Sequence, residues 1–162
     1  MKENKTRNLV YGALIAAIYV VLTMVFRPIS FGPIQFRISE ALCILPYFTP
    51  AAIPGVFLGC LISNMLGGAV MMDVVFGSLA TLIGAVGSWI LRKNRYLVSV
   101  PPILSNTIII PWVLKFAYGS EDLIWYMMVT VGIGEVLAIG VLGQILLTAL
   151  DKHKNAIFGN GL

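Results

Sequence analysis

Apolar positions recur along this chain in long runs, and the polar positions between them are few. About 20 apolar residues make one helical crossing of a bilayer. On that measure the pattern predicts spans over 8–26, 74–91, 97–115 and 123–150. The stretch 38–69 is too long for one span. As a continuous helix it would run about 48 Å, against about 30 Å of hydrocarbon. Pro46, Pro50 and Pro54 interrupt it. Proline removes a backbone donor and disfavours helix at the residue before it. The stretch therefore divides into 38–49 and 51–69, giving six helices. The first of this pair rises only about 18 Å as an α-helix and cannot cross alone. It starts partway down from the outer face, with residues 27–37 dipping above it. Irregular backbone at membrane depth is tolerated only where protein buries it or water fills a cavity. A pocket near the outer face is therefore expected.

Composition turns this pattern into a class. The hydrophobic fraction is 59% and the charged fraction 11%, where a soluble domain carries about 25% charge. Mean hydropathy is +0.93. A soluble fold of this size leaves too much surface exposed to hide that apolar area. The expectation is an all-α integral membrane protein with residues 1–162 in a single six-helix transmembrane domain. The basic start "MKENKTRN" and the run after it read as the first helix rather than a cleaved signal peptide, whose apolar core is shorter. Lys and Arg favour cytoplasmic loops. With six spans and the N-terminus inside, the inner segments hold eight basic residues and the outer ones three, Arg27, Arg37 and Lys115. Both termini are therefore expected in the cytoplasm. The net charge of +4 does not point to nucleic acid, because the basic residues sit at span ends.

Polar groups inside apolar spans are costly and usually face a cavity or a partner. Gln35, Arg37 and Glu40 crowd the entry to the second helix. Asn64 lies late in the third, Asp73 at the start of the fourth, Asn106 within the fifth and Glu135 within the sixth. Each has a plainer alternative. Arg37 and Glu40 are three apart and would suit a local ion pair. Asp73 would suit an N-cap, and the two Asn amides would suit bonds between helices. Lys115 would snorkel to the interface. Glu135 is the hardest to explain structurally, because it lies beside Gly132 and Gly134 with no basic residue in its own span. Trp112 belongs to an aromatic group at the outer end of helix 5, and it would either join the interfacial belt or cover a flat ligand. On helix 1, Gly12 with Ala16 and Ala13 with Ala17 set small residues four apart, which lets another helix approach closely.

Other chemistries find no support. Cys43 and Cys60 lie in apolar runs without CxxC or a nearby His, so they read as packing residues, with no metal or cofactor implied. No P-loop, HExxH motif or nucleophile elbow is present. A chain of six helices without an internal repeat is small for a self-sufficient transporter. A binding pocket without an engine suggests that the engine is a partner.

"FGPIQFRISEALCILP" together with "DVVFGSLATLIGA", "PPILSNTIIIP" and the Gly-Glu of "GIGEV" resembles the QueT family. These are substrate-binding S components of energy-coupling factor transporters. The resemblance covers nearly the whole chain. It implies six helices, a pocket near the outer face, a multi-pass place in the bacterial plasma membrane and uptake of queuosine precursors, which are 7-deazaguanines. It implies partners as well, namely a membrane coupling subunit and two cytoplasmic ATPases. Small residues on helix 1 of such components contact the coupling subunit, which would give Gly12, Ala13, Ala16 and Ala17 a role. The ligand chemistry is compatible. A carboxylate such as Glu135 or Glu40 would accept the ring N–H and amino group of a deazaguanine. Asn64 and Asn106 would serve the carbonyl edge. Trp112 would stack on the ring, and Asp73 would hold an ammonium. Two alternatives stand beside this reading: an S component for another small vitamin, and a membrane scaffold or assembly protein with no ligand.

Overall fold

The structure is a computed structural model and describes residues 2–30, 36–154 and 157. The described residues are helical and contain no strand. In chain order they form α1 (Lys2–Val25), a short α2 (Arg27–Ser30), a 3₁₀ helix (Ile38–Tyr47), α3 (Ala52–Gly67) and α4 (Met71–Ile90). A 3₁₀ turn (Leu97–Ser99) then leads into α5 (Val100–Ala117). The last stretch runs without a break as α6 (Ile124–Glu135), a π-helical segment (Val136–Gly143) and α7 (Gln144–Asp151).

Among the described residues, four helical stretches are long and apolar enough to cross a membrane: Lys5–Val25, Met71–Ile90, Leu97–Ala117 and Ile124–Asp151. Ile38–Tyr47 and Ala52–Gly67 are apolar but shorter. The long helices expose large apolar side chains over their length, among them Leu14, Val21, Phe76, Ile83, Ile108 and Ile133. Meanwhile Arg37, Glu40, Asn64, Asp73, Asn106 and Glu135 are all at least nine-tenths buried. This arrangement, polar inside and apolar outside, suits hydrocarbon as the solvent.

Two features depart from the α-helices expected from sequence. The chain does break between Tyr47 and Ala52, in the proline-rich stretch, but the segment before the break is 3₁₀ rather than α. Ten residues at about 2.0 Å each reach about 20 Å. A 3₁₀ run of that length is uncommon, and here burial supports it, since Ser39 through Pro46 are all buried. The single helix expected over 123–150 is also interrupted in its middle by the π segment. These two irregular segments pack against each other. Leu42, Cys43, Ile44, Ala138, Ile139 and Leu147 meet there in the apolar core.

Around this centre α1 packs on α3, α3 on α4, α4 on α5 and α5 on α6. The contact between α1 and α3 is close. A Cβ on Gly59 would stand 2.6 Å from the Tyr19 Cβ, and one on Gly55 would stand 2.9 Å from the Gly12 carbonyl. Small residues on both helices therefore set their separation.

Candidate ligand-binding site

The helical spacing of α4 places Asp73, Gly77 and Thr81 on one face, since residues four apart are neighbours on a helix. Asn106 and Ile110 do the same on α5, and Glu135 closes α6. The 3₁₀ helix brings Glu40 to the same point, with Arg37 at its N-cap position. Arg37, Glu40, Gly77, Thr81, Asn106, Ile110 and Glu135 together line a cavity. The cavity is small. About 10 Å³ is open to the centre of a water-sized sphere, which is room for about one water.

The two central carboxyl groups are held differently. Glu40 is 1% exposed. Its Oε1 accepts a hydrogen bond from the Tyr19 hydroxyl, and its Oε2 accepts one from Cys43 Sγ at 3.0 Å. Glu135 has Asn106 beside it, yet its Oε2 is buried without a hydrogen-bond partner. Asn106 Oδ1 is buried and unpartnered too. An unsatisfied buried acceptor costs about 1–3 kcal/mol, and two such atoms belong to residues that line this one cavity.

A second polar group adjoins the cavity behind Gly77. Arg37 Nη2 lies 3.9 Å from Asp73 Oδ2, and Arg37 Nε donates to the Ser30 carbonyl at 3.4 Å. Arg37 thus pairs across helices with Asp73, while Glu40, three residues on, takes its donors from Tyr19 and Cys43. Asp73 stands in the first turn of α4, and Val70 occupies the N-cap position. The Tyr118 hydroxyl donates to Asp73 Oδ2 at 2.9 Å. Tyr118 follows the end of α5, and burial together with the Asp73 carboxylate pushes its hydroxyl pKa up, so it remains a donor at neutral pH. Asp73 Oδ1 is buried without a partner. It lies 2.8 Å from the point where a Cβ on Gly77 would stand, and only a glycine leaves that room. Asn64 Nδ2 donates to the Asp73 carbonyl at 3.4 Å, and Asn64 Oδ1 is unpartnered.

Of the residues singled out from sequence, Arg37, Glu40, Asn106 and Glu135 line the cavity, and Asp73 and Asn64 adjoin it. Trp112 is 45% exposed and stacks on Phe116 with ring centroids 6.0 Å apart, away from the lining. Gln35 lies outside the described residues. Lys115 is exposed and donates to the Asp122 carbonyl at 3.3 Å. The small residues of α1 divide. Ala16 is buried and Gly12 half-buried against α3, whereas Ala13 and Ala17 are exposed. Sequence reasoning missed Tyr19, Gly77 and Thr81, and it read Tyr118 only as one of the aromatics at the outer helix ends, where its hydroxyl in fact holds Asp73. The four-residue spacing from Asp73 through Gly77 to Thr81 was a usable signal for two of them.

Residues 9–152 match the family described as QueT transporter. The chain belongs to the QueT transporter family. The chain is also 46% identical over 85 residues to the queuosine precursor transporter QueT of Lactococcus lactis subsp. cremoris (strain MG1363). That match covers 51% of this chain and 50% of the relative, so the chain spans about half the length of the curated relative it matches. No solved structure matches. As a QueT family member with several membrane-length apolar helices, the chain is a multi-pass membrane protein of a transport family.

Proposed function

We propose that this chain is the substrate-capturing S component of an energy-coupling factor importer. Its ligand is a queuosine precursor, a 7-deazaguanine such as 7-aminomethyl-7-deazaguanine or queuine. The observation that carries the reading is the buried, unpartnered Glu135 Oε2 beside the unpartnered Asn106 Oδ1 on one cavity wall. A deazaguanine edge offers a ring N–H and an amino group side by side, and a carboxylate accepts both. The amide serves a neighbouring donor or, through its nitrogen, the carbonyl edge. In this proposal the chain is one domain of six crossings, with both termini cytoplasmic and the cavity toward the outer face. The basic residues of the 91–96 loop and the tail support that orientation.

The cavity as it stands admits about one water, so a bicyclic base enters only as the lining helices separate. The same smallness favours one other reading, a ligand-free membrane scaffold. In a scaffold Glu135 and Asn106 would bond to neighbouring helices. Asn106 of α5 does hydrogen-bond Glu135 of α6, which meets that expectation in part, and the one oxygen of each that has no partner favours capture. Native mass spectrometry of the purified protein separates the two. A co-purified 7-deazaguanine supports capture. Clean protein that also shows no heat on titration with 7-deazaguanines supports the scaffold.

Transport needs an energy source, and the sequence carries no P-loop. Its proposed partners are a membrane coupling subunit and two cytoplasmic ATPases. The outward Ala13 and Ala17 are the proposed contact on α1, since Gly12 and Ala16 are engaged with α3. Ala17→Leu is expected to abolish uptake in cells while the isolated protein binds ligand as before. Undiminished uptake would remove this face of α1 from the coupling surface.

A further inference from the structure

The ring of packed helices is open on one side. It runs from α1 through α3, α4 and α5 to α6. Between α1 and the last helical stretch lies a groove, and the 3₁₀ helix, packed on both, forms its floor. About 480 Å³ of the groove is open to the centre of a water-sized sphere, against about 10 Å³ in the polar cavity. Its walls are hydrocarbon, with Leu14, Ile18 and Leu22 of α1 on one side and Leu142, Leu146 and Leu150 on the other. Among the described residues no charged side chain lines it. Tyr11 closes one end, where its hydroxyl donates to the Ile157 carbonyl at 2.6 Å. From Tyr11 to Leu22 the groove runs about 17 Å along α1. That is close to the depth of one leaflet, about half of the roughly 30 Å of hydrocarbon.

Charge marks the Tyr11 end. Arg7 lies one turn before Tyr11 on the same face of α1, and Lys154 stands four residues after Leu150 of the opposite wall. Both are exposed. Residues 1–10 and 151–154 hold Lys2, Lys5, Arg7, Lys152 and Lys154 against Glu3 and Asp151, and Lys154 pairs with Asp151 at 3.2 Å. Beyond the other end of the groove, Arg27 is turned to the Gly67 carbonyl of α3, at 2.9 Å.

We infer that this groove binds one acyl chain of an anionic phospholipid, with the phosphate headgroup held by the basic residues at the Tyr11 end. The inference is independent of the ligand reading of the polar cavity. A concave hydrocarbon wall meets a chain on three sides, so the chain gains dispersion contacts that a flat helix face does not give. Basic residues beside a groove between membrane helices attract anionic headgroups. A helix of another protein fits less well. Membrane helices approach closely over small residues, and these walls are Leu and Ile. The exposed Ala13 and Ala17 lie on another side of α1.

The test adds phosphatidylglycerol or phosphatidylcholine with identical acyl chains to the purified chain in detergent. Native mass spectrometry reads the lipid retained at pH 7. The expected result is about 10- to 30-fold stronger retention of phosphatidylglycerol. Arg7→Gln combined with Lys154→Gln is expected to bring the two lipids within about threefold of each other. Ile18→Trp fills the groove, and it is expected to lower retention of both lipids while the melting temperature holds. Should that variant fail to fold, Leu14→Trp, at a more exposed position of the same wall, replaces it. Equal retention by the wild type overturns the inference, and so does a double variant that keeps the full preference. Undiminished retention by the Trp variant places the lipid elsewhere and overturns the assignment to the groove. A wild type that retains neither lipid, with Ile18→Trp abolishing uptake in cells, makes the groove the seat of a partner helix and overturns the inference as well.

Discussion

The cavity has two carboxylate corners that behave as opposites. At the Glu40 corner both oxygens are occupied, one by Tyr19 from α1 and one by Cys43 from the next 3₁₀ turn. At the Glu135 corner one oxygen is bare, and two glycines precede it at 132 and 134. Both residues are buried and acidic. Their hydrogen bonds differ. A buried carboxylate whose acceptors are filled from within ties helices together. One left open is available to a molecule from outside. Burial and charge alone would have ranked the two equally.

The sharpest way to break this comparison is Glu40→Ala. It strands the Tyr19 hydroxyl and the Cys43 thiol and empties part of the centre. The expected loss is about 2–4 kcal/mol, or a fall in melting temperature of roughly 10 °C. Melting at the wild-type temperature would mean that the Glu40 corner is not structural.

Glu135→Gln is the counterpart. It keeps the shape but sets a donor against donors of the ligand. Affinity for 7-deazaguanines is expected to fall by about 5- to 150-fold, while the melting temperature stays within about 2 °C. Calorimetric titration and a melting curve on the same sample read both numbers. Wild-type affinity would pass the recognition role to Glu40 and reverse the comparison.

The smallest expected effect is at the rim. Tyr118→Phe removes one hydroxyl that holds Asp73 Oδ2. Stability is expected to change by about 1 kcal/mol or less, and affinity for 7-deazaguanines by only a few-fold. A melting curve and calorimetric titration read both numbers, and a loss as large as that of Glu135→Gln would make Tyr118 part of the recognition site.

Much of this was legible in the sequence. Apolar run length located the long helices, and the prolines at 46, 50 and 54 located the break before α3. The rarity of ionisable groups in spans pointed to Arg37, Glu40, Asp73 and Glu135. Helix type was not legible. The 3₁₀ geometry of Ile38–Tyr47 and the π geometry of Val136–Gly143 belong to their mutual packing, which no local pattern encodes. Partner choice was not legible either. Spacing offered Arg37 to Glu40, three residues on, but Asp73 is brought in by α4. Tyr19 reads as one more aromatic in an apolar run until α3 fixes the face that α1 presents. The four small residues of α1 look equivalent by spacing, and the close approach of Gly55 and Gly59 separates Gly12 and Ala16 from Ala13 and Ala17.

The winding of the segment Ile38–Tyr47 has a mechanical consequence. A 3₁₀ helix advances about 2.0 Å and 120° per residue, and an α-helix about 1.5 Å and 100°. Rewinding these ten residues from one pitch to the other would shorten the segment by about 5 Å and turn its two ends by about 180° relative to each other. The segment is in effect a screw thread, with Arg37 at its head and the proline break at its foot. Glu40 and Cys43 sit three residues apart on the thread, so they eclipse each other at the 3₁₀ pitch and stand about 60° apart at the α pitch. Any loosening toward α pitch would carry the guanidinium away from Asp73 and swing Glu40 off Tyr19 in the same movement. Length and rotation of this segment are therefore tied to each other through its pitch.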